Sequence, residues 1–393
     1  MIKRELYLSE IRKVLGKPVI KVLTGMRRVG KSTLLKQLRD ELLNGGVPDT
    51  QMIFLNFELL KYEHLKDYRL LFEYITDLMI NNEKYYIFLD EIQEVDSFEK
   101  VINSLHTEGK SEIFITGSNS KLLSGELATY LTGRFYTIEV FPLSFKEVVS
   151  NHKSDNVDDL FTEYIRNGGM PGRFEFDDLD SSRNYLTDMY RSILLKDIVT
   201  RYSIRDVELL ERFLIFVLNN TSQIFSASTI TNFLKSEGRK LSKETIYHYI
   251  DACKNAYLIH SIQRYDLKGK EVLRTNEKYF VNDLGIRSIY FDNEKDIGQS
   301  LENIVLIELL RRGYRVFVGK MGDKEVDFVI EKGSEKMYIQ VAYLLAEQTT
   351  IEREFSALEK IEDNHPKFVL SMDKINRSRN GIKNQNIIDF LLE

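Results

Sequence analysis

Gly25-Met26-Arg27-Arg28-Val29-Gly30-Lys31-Ser32 follows the pattern G-x-x-x-x-G-K-S/T, and its flanks decide what that pattern means. Val19-Ile20-Lys21-Val22-Leu23 precedes it as a short apolar strand, and Thr33-Leu34-Leu35-Lys36-Gln37-Leu38 follows it as the start of an amphipathic helix. Strand, tight turn and helix are the setting in which such glycines cradle phosphate. Glycine lets the backbone wrap a polyphosphate so that several N–H groups point inward. The helix N-terminus adds partial positive charge. On this reading Gly25, Arg28, Val29, Gly30, Lys31, Ser32 and Thr33 form the binding loop. Lys31 reaches the β- and γ-phosphates, and the Ser32 hydroxyl holds Mg²⁺. The rival is a chance glycine-containing strand–helix turn, and both flanks count against it.

The order downstream extends the pattern. Met52–Phe57 is expected to be a strand, and Leu70, Leu71, Tyr74, Ile75 and Leu78 recur at helical spacing. Tyr85-Tyr86-Ile87-Phe88-Leu89 then runs into Asp90-Glu91. An acid at the C-terminal end of a buried strand lies where a parallel sheet places its site. Asp90 is expected behind Mg²⁺, and Glu91 is placed to orient or deprotonate an attacking water. Standing alone, this would read as an acidic turn; behind a phosphate loop it does not. A further strand, Glu112–Thr116, ends in Gly117-Ser118-Asn119-Ser120, where Asn119 is expected near the γ-phosphate or the water. The bland reading of the same residues is a helix cap before Leu122-Leu123. Arg134, in Leu131-Thr132-Gly133-Arg134 ahead of strand Phe135–Val140, either neutralises transition-state charge, in cis or across a subunit interface, or pairs structurally with an acid.

Composition narrows the classes. At 393 residues the chain accommodates two or three domains. Its 43 % hydrophobic content supplies real cores, and a net charge of -5 means that any nucleic-acid contact must be a local patch. A single cysteine, Cys253, excludes an internal disulfide framework and a cysteine zinc site, and is expected to be a small buried hydrophobe. The charged opening Met1-Ile2-Lys3-Arg4-Glu5 does not resemble a signal peptide, and no apolar run reaches membrane-spanning length, so the expectation is a cytoplasmic protein.

Phosphate loop, intervening strand, hhhhDE and polar strand end together resemble AAA-type P-loop ATPases. Leu131-Thr132-Gly133-Arg134, Phe141-Pro142-Leu143-Ser144-Phe145 and Gly168-Gly169-Met170-Pro171 are similar to the prokaryotic members that carry a C-terminal domain of unknown function. The resemblance implies ATP and Mg²⁺ as cofactors and ATP hydrolysis as the activity. It also implies a helical lid after the sheet, with Arg173 reaching nucleotide.

Beyond the lid, Ser228–Leu234 reads as a short helix, residues 236–241 as a turn, and Ser242-Lys243-Glu244-Thr245 as a capping box opening a second helix. Two alternating stretches, 257–262 and 272–274, joined through Lys268-Gly269-Lys270, complete the layout of a winged helix-turn-helix. From Lys235 to Lys278 there are ten Lys and Arg against six Asp and Glu, an excess of four. Lys243, Tyr247, His248 and Lys254 are expected on the exposed face of the second helix. DNA contact and a protein-interaction role both stand at this point. Towards the C-terminus, Glu302, Asp327 and Gln340 resemble the acid series of restriction-endonuclease-like folds, but the lysine position holds Ala342. A structural α/β domain whose acids face solvent is therefore preferred to a nuclease, with Lys332 or Lys336 as the lysines able to fill the gap.

These readings define an α/β chain: a doubly wound parallel P-loop sheet over 1–150, a helical lid over 151–205, a winged helix over 206–285 and a degenerate endonuclease-like domain over 286–393. The expected activity is Mg²⁺-dependent ATP hydrolysis coupled to action on DNA. The alternative is a slow nucleotide-dependent switch with a protein partner. No membrane partner is expected, and a homo-oligomer is compatible with a trans role for Arg134.

Overall fold

The apolar runs of the first 140 residues lack a polar face, and such strands must be covered on both sides. β1 (Ile20–Thr24) is buried throughout, and β3 (Tyr85–Asp90) and β4 (Ser111–Gly117) each have one partly exposed position. With β2 (Met52–Asn56) and β5 (Phe135–Glu139) they pair in parallel in the order β2-β3-β4-β1-β5. The helices are α1 (Glu5–Val14), α2 (Lys31–Asn44), α3 (Tyr68–Leu78) and α4 (Phe98–Glu108). Ile20, Val22, Ile53, Leu55, Ile87, Leu89, Ile113 and Ile115 belong to one core. This is the α/β fold of P-loop ATPases, as the sequence led one to expect. Here the computed structural model describes residues 2–120, 133–152, 156–239 and 241–393; Leu122, Leu123, Leu131, Thr132 and Lys240 lie outside the described residues.

One compact unit comprises residues 1–140 together with 255–257, and the other comprises 141–254 with 258–393. The three returning residues are joined to the first unit through Asn255, whose Oδ1 accepts a hydrogen bond from the Ser120 hydroxyl at 2.5 Å.

In the second unit, α5 (Phe145–Asn151), α6 (Val157–Asn167) and α7 (Leu179–Ser192, continuing as a π-helical stretch to Thr200) lead to α8 (Val207–Asn219). Next come β6 (Gln223–Ile224), α9 (Ala227–Ser236) and α10 (Lys243–Asn255). The Ser242 hydroxyl caps α10 by accepting from Thr245 N at 3.2 Å. Cys253 is buried, and burial pushes its thiol up. The hairpin of β7 (Ile259–Asp266) and β8 (Glu271–Val281) is longer than the sequence suggested, and it does not stand alone. After α11 (Leu284–Arg287) and α12 (Ile297–Arg311) come β9 (Arg315–Met321), β10 (Lys324–Lys332), β11 (Glu335–Val341), α13 (Gln348–Glu359), β12 (Lys367–Ser371), β13 (Ile382–Asn386) and α14 (Ile387–Leu392). All eight strands form one mixed sheet, β13-β12-β11-β10-β9-β7-β8-β6, with β7 parallel to β9. The division expected at residue 285 therefore falls between two strands of a single sheet.

Two of the family-like motifs meet inside this unit. Leu143 N donates to Gly169 O at 2.8 Å, and Gly169 N donates to Asp283 at 2.6 Å. Arg173 is buried, donates to Gly168 O at 2.8 Å and to Glu163 at 2.9 Å, and so fixes this turn. Among the described residues no helix is long and apolar enough to cross a membrane.

Lys21 interrupts the apolar face of β1. Its ammonium lies 2.5 Å from Glu112 on β4, both groups being buried, and Lys84 approaches the same carboxylate at 2.5 Å. Burial works against ionising Glu112, but the two ammonium groups and the Gly16 N–H outweigh it and hold the carboxyl below its ordinary range. Removing one partner leaves an uncompensated buried charge, which typically costs about 3–5 kcal/mol. Glu112→Ala is expected to lose that amount in urea unfolding, and a loss below about 1 kcal/mol would show that Lys21 finds another partner.

Candidate functional site

Strand order brings three strand ends side by side. β1 runs from Thr24 into residues 25–30, β4 ends beside it, and β3 ends at Asp90 one strand further on. Gly25 has φ 138°, and a Cβ there would lie 2.2 Å from Val140 O, so no side chain fits. Arg28 (φ 67°) and Gly30 (φ 98°) turn the chain back into α2, whose first residue is Lys31. Val29 is buried, Arg28 exposed, and Ser32 and Thr33 half-buried on the first helical turn. The buried Lys31 ammonium donates to Gly25 O at 3.0 Å and Met26 O at 3.1 Å, inside the loop it is expected to serve.

Asp90 is wholly buried. One carboxylate oxygen accepts from Asn56 Nδ2 at 2.7 Å and the other from the Thr116 hydroxyl at 2.7 Å. Burial raises its pKa, opposed by the hydrogen bonds from Thr116 and Ser32. The Ser32 bond places a helix-borne hydroxyl directly before the acid. Glu91 follows at φ 55°, an uncommon conformation for a glutamate, and its N–H donates to Thr116 Oγ1 at 2.8 Å. Its carboxylate lies 3.7 Å from Lys31 Nζ and accepts from the Gln93 amide at 2.5 Å. Burial alone would push Glu91 up; the Lys31 ammonium and the Gln93 amide outweigh it and keep the group below its ordinary range. Ser118 and Asn119, just past β4, are buried at the same edge.

The structure thus brings together Gly25, Val29, Gly30, Lys31, Ser32, Asp90, Glu91 and Asn119. Asn56, Thr116 and Gln93 escaped the sequence reading; a polar residue closing or ending a buried strand was the available signal for the first two. Arg134 is not brought in. It stands at the opposite end of β5, exposed, donating to Asn103 Oδ1 at 3.0 Å. Five residues of strand separate it from the loop end, roughly 16 Å at the usual rise. That distance corrects the cis alternative. Oxygen donors are what Mg²⁺ requires, and Ser32 with Asp90 behind it fits an ion shared with phosphate. Among the described residues no group of three or more His, Cys, Asp or Glu makes a metal cage.

Glu139 closes β5 opposite Thr24, immediately before the loop, and burial raises its carboxyl to about 7.

A second polar cluster lies in the second unit. Glu302 on α12 and Asp327 on β10 are buried, which corrects the expectation that they face solvent. Asp327 accepts from Val341 N at 2.8 Å, and Gln340 Oε1 accepts from Asp327 N at 3.2 Å. The position of Ala342 is indeed apolar, yet a lysine is present. Lys278, from β8, sets its ammonium 2.5 Å from Glu302, 2.8 Å from Glu325 and 3.9 Å from Asp327. Burial raises both Glu302 and Asp327, and the ammonium eases this. Lys332 instead bonds Arg312 O, and Lys336 faces Glu331.

A family model described as an AAA domain matches residues 17–149, and a model of a domain of unknown function matches 158–296. An uncharacterized protein of Haemophilus influenzae is 39 % identical over 400 positions, covering 100 % of this chain and 99 % of that protein. Uncharacterized protein MJ1544 of Methanocaldococcus jannaschii is 35 % identical over 379 positions, covering 91 % and 80 % respectively. Among solved structures, the Walker-type ATPase Paby2304 of Pyrococcus abyssi superposes with a TM-score of 0.53 at 14 % identity, over 74 % of this chain and 95 % of that one. At that identity the likeness speaks to the fold.

Glu139 makes a pH dependence visible. The unfolded chain releases this proton near pH 4.5, whereas the folded carboxyl keeps it to about 7. The stability it contributes is full below about pH 4.5 and is lost as pH rises through 7. Glu139→Gln is expected to flatten that part of the stability curve in urea titrations between pH 4.5 and 8. A wild-type slope in the variant would mean that the carboxyl is ionised throughout.

Proposed function

The chain belongs to the AAA-domain family that includes the Haemophilus influenzae and Methanocaldococcus jannaschii relatives, and we propose that it binds ATP with Mg²⁺ and hydrolyses it. The observation that carries this is the convergence of Lys31, Ser32, Asp90 and Glu91 on one loop. In that arrangement the Lys31 ammonium leaves the loop carbonyls for the β- and γ-phosphates. Ser32 would hold the ion, which would supply charge neutralisation at the phosphates, with Asp90 behind it orienting the Ser32 hydroxyl. Glu91, already ionised and freed from Lys31, takes the proton of the attacking water. Asn119 fixes that water or the γ-phosphate. For Arg134 two readings remain, a role across an interface between copies of the chain and the structural one that its bond to Asn103 serves.

We further propose that nucleotide state governs contact with DNA through the second unit. Lys243, Tyr247 and His248 are exposed along α10, with Lys254 half-buried near its end. Exposed Glu244 and Asp251 share that helix and favour the second reading, a protein partner and slow turnover. Strand cleavage is not part of the proposal. Lys278 is held among three carboxylates as their counter-ion, which takes from it the freedom to support a hydroxide.

Lys31→Ala is expected to abolish ATP binding. Glu91→Gln should bind ATP but turn it over ~10²–10⁴-fold more slowly; equal turnover in variant and wild type would remove Glu91 from the chemistry. With duplex DNA, Lys243→Ala should lower affinity for all sequences alike and flatten the log K against log salt slope by about 1. Turnover indifferent to DNA, with no DNA bound at low salt, would transfer the assignment to the protein-partner reading. In Mg²⁺ or Mn²⁺ the protein should leave plasmid DNA intact. Metal-dependent nicking that disappears in Asp327→Ala would overturn that claim.

A further inference from the structure

Residues 2–16 precede the region matched by the AAA-domain model, yet one of them reaches the phosphate loop. Arg4 is buried, and its Nη1 donates to Val29 O at 2.8 Å. A Cβ built on Gly30 would lie 3.5 Å from the same nitrogen, which places the guanidinium against the loop at the step before Lys31. It is held there from behind. Arg4 N donates to Gln37 Oε1 at 3.1 Å, and Gln37 Nε2 donates to Ile2 O at 2.6 Å, fastening the segment to α2. The Tyr7 ring lies 4.8 Å from the guanidinium carbon. Arg12 and Glu41, paired at 2.5 Å, join α1 to α2 a few turns further on.

The effect follows from peptide geometry. In a planar trans peptide the C=O of one residue and the N–H of the next point in opposite directions. Arg4 grips the Val29 carbonyl and so fixes the Val29–Gly30 plane, turning the Gly30 N–H away from the guanidinium. We propose that Arg4 is a positioning residue for the phosphate cradle, presetting the Gly30 N–H as a donor to the polyphosphate chain of the bound nucleotide. The inference rests on the nucleotide-binding reading above. Its ligand class is set by the phosphates alone: any linear polyphosphate meets the same donor, whereas base and ribose do not. A buried guanidinium needs hydrogen-bond partners, and here one of them is the loop itself, so removing the side chain frees the loop and not merely the N-terminal segment.

The test measures binding of ATP, ADP and inorganic tripolyphosphate by calorimetry for wild type, Arg4→Ala and Arg4→Lys. Arg4→Ala is expected to weaken all three by a similar factor, roughly 10- to 100-fold, the usual consequence of losing one ordered donor. Millimolar guanidinium ion should recover part of the loss, as should the ammonium of Arg4→Lys. A general loss of fold would not respond to guanidinium in that way. Should Arg4→Ala fail to fold by circular dichroism, Arg4→Lys carries the test, with a smaller loss equal across the three ligands. Wild-type affinity in the variants, or a loss confined to ATP and ADP that spares tripolyphosphate, would overturn the role of Arg4 while leaving nucleotide binding intact. A wild type that binds none of the three would remove the nucleotide reading and this inference together.

Discussion

The Asp90 carboxylate lies wholly out of water, and a buried charge of that kind persists only where donors surround it. Asn56 supplies one from the end of β2, Thr116 another from β4, and Ser32 a third from the first turn of α2. Each donor belongs to a different element, so satisfying one acid fixes the relative heights of three strand ends and a helix start. Thr116 also accepts from Glu91 N, which carries the constraint to the next residue and holds it at positive φ. The placement of Glu91 is thus a consequence of how Asp90 is satisfied. Networks of this type are worth more than their separate bonds, because loss of one member exposes the others' unpaired groups.

What could be read from the residues alone was local. The loop pattern with its flanks, the apolar run ending in Asp90-Glu91, and the parallel sheet that such runs require all follow from short-range periodicity. Asn56 and Thr116 lie 34 and 26 residues from Asp90 in sequence, and only strand register makes them its partners. The hairpin of β7 and β8 was legible as a hairpin. Its union with β9 was not, because parallel pairing between distant strands leaves no local trace. Glu302 and Asp327 looked like surface acids for the same reason: the lysine that permits their burial sits in another strand. Arg4 looked like part of a charged opening, and nothing in its neighbours marks the carbonyl it grips.

Both units contain a buried lysine matched to acids, and in both the pairing ties strands together. Lys21 and Glu112 join β1 to β4 at the end of the sheet away from the loop. Lys278 joins β8 to α12 and β10. Apolar side chains of similar volume would give comparable or greater stability at such places. What the ion pairs add is selectivity for one register, since a slip of one residue turns a charge to the wrong face.

The path of the chain has a consequence of its own. It leaves the first unit after Val140, returns for Asn255–Tyr257, and leaves again. In topological terms residues 141–254 are an insertion within a discontinuous domain, and 258–393 are an appendage to it. Cutting the chain after the last strand of the parallel sheet would not yield a finished N-terminal fragment, because Ser120, next to Asn119, would lose its partner from 135 residues downstream. The first unit of this protein becomes whole only after residues 141–254 of the second have been synthesised.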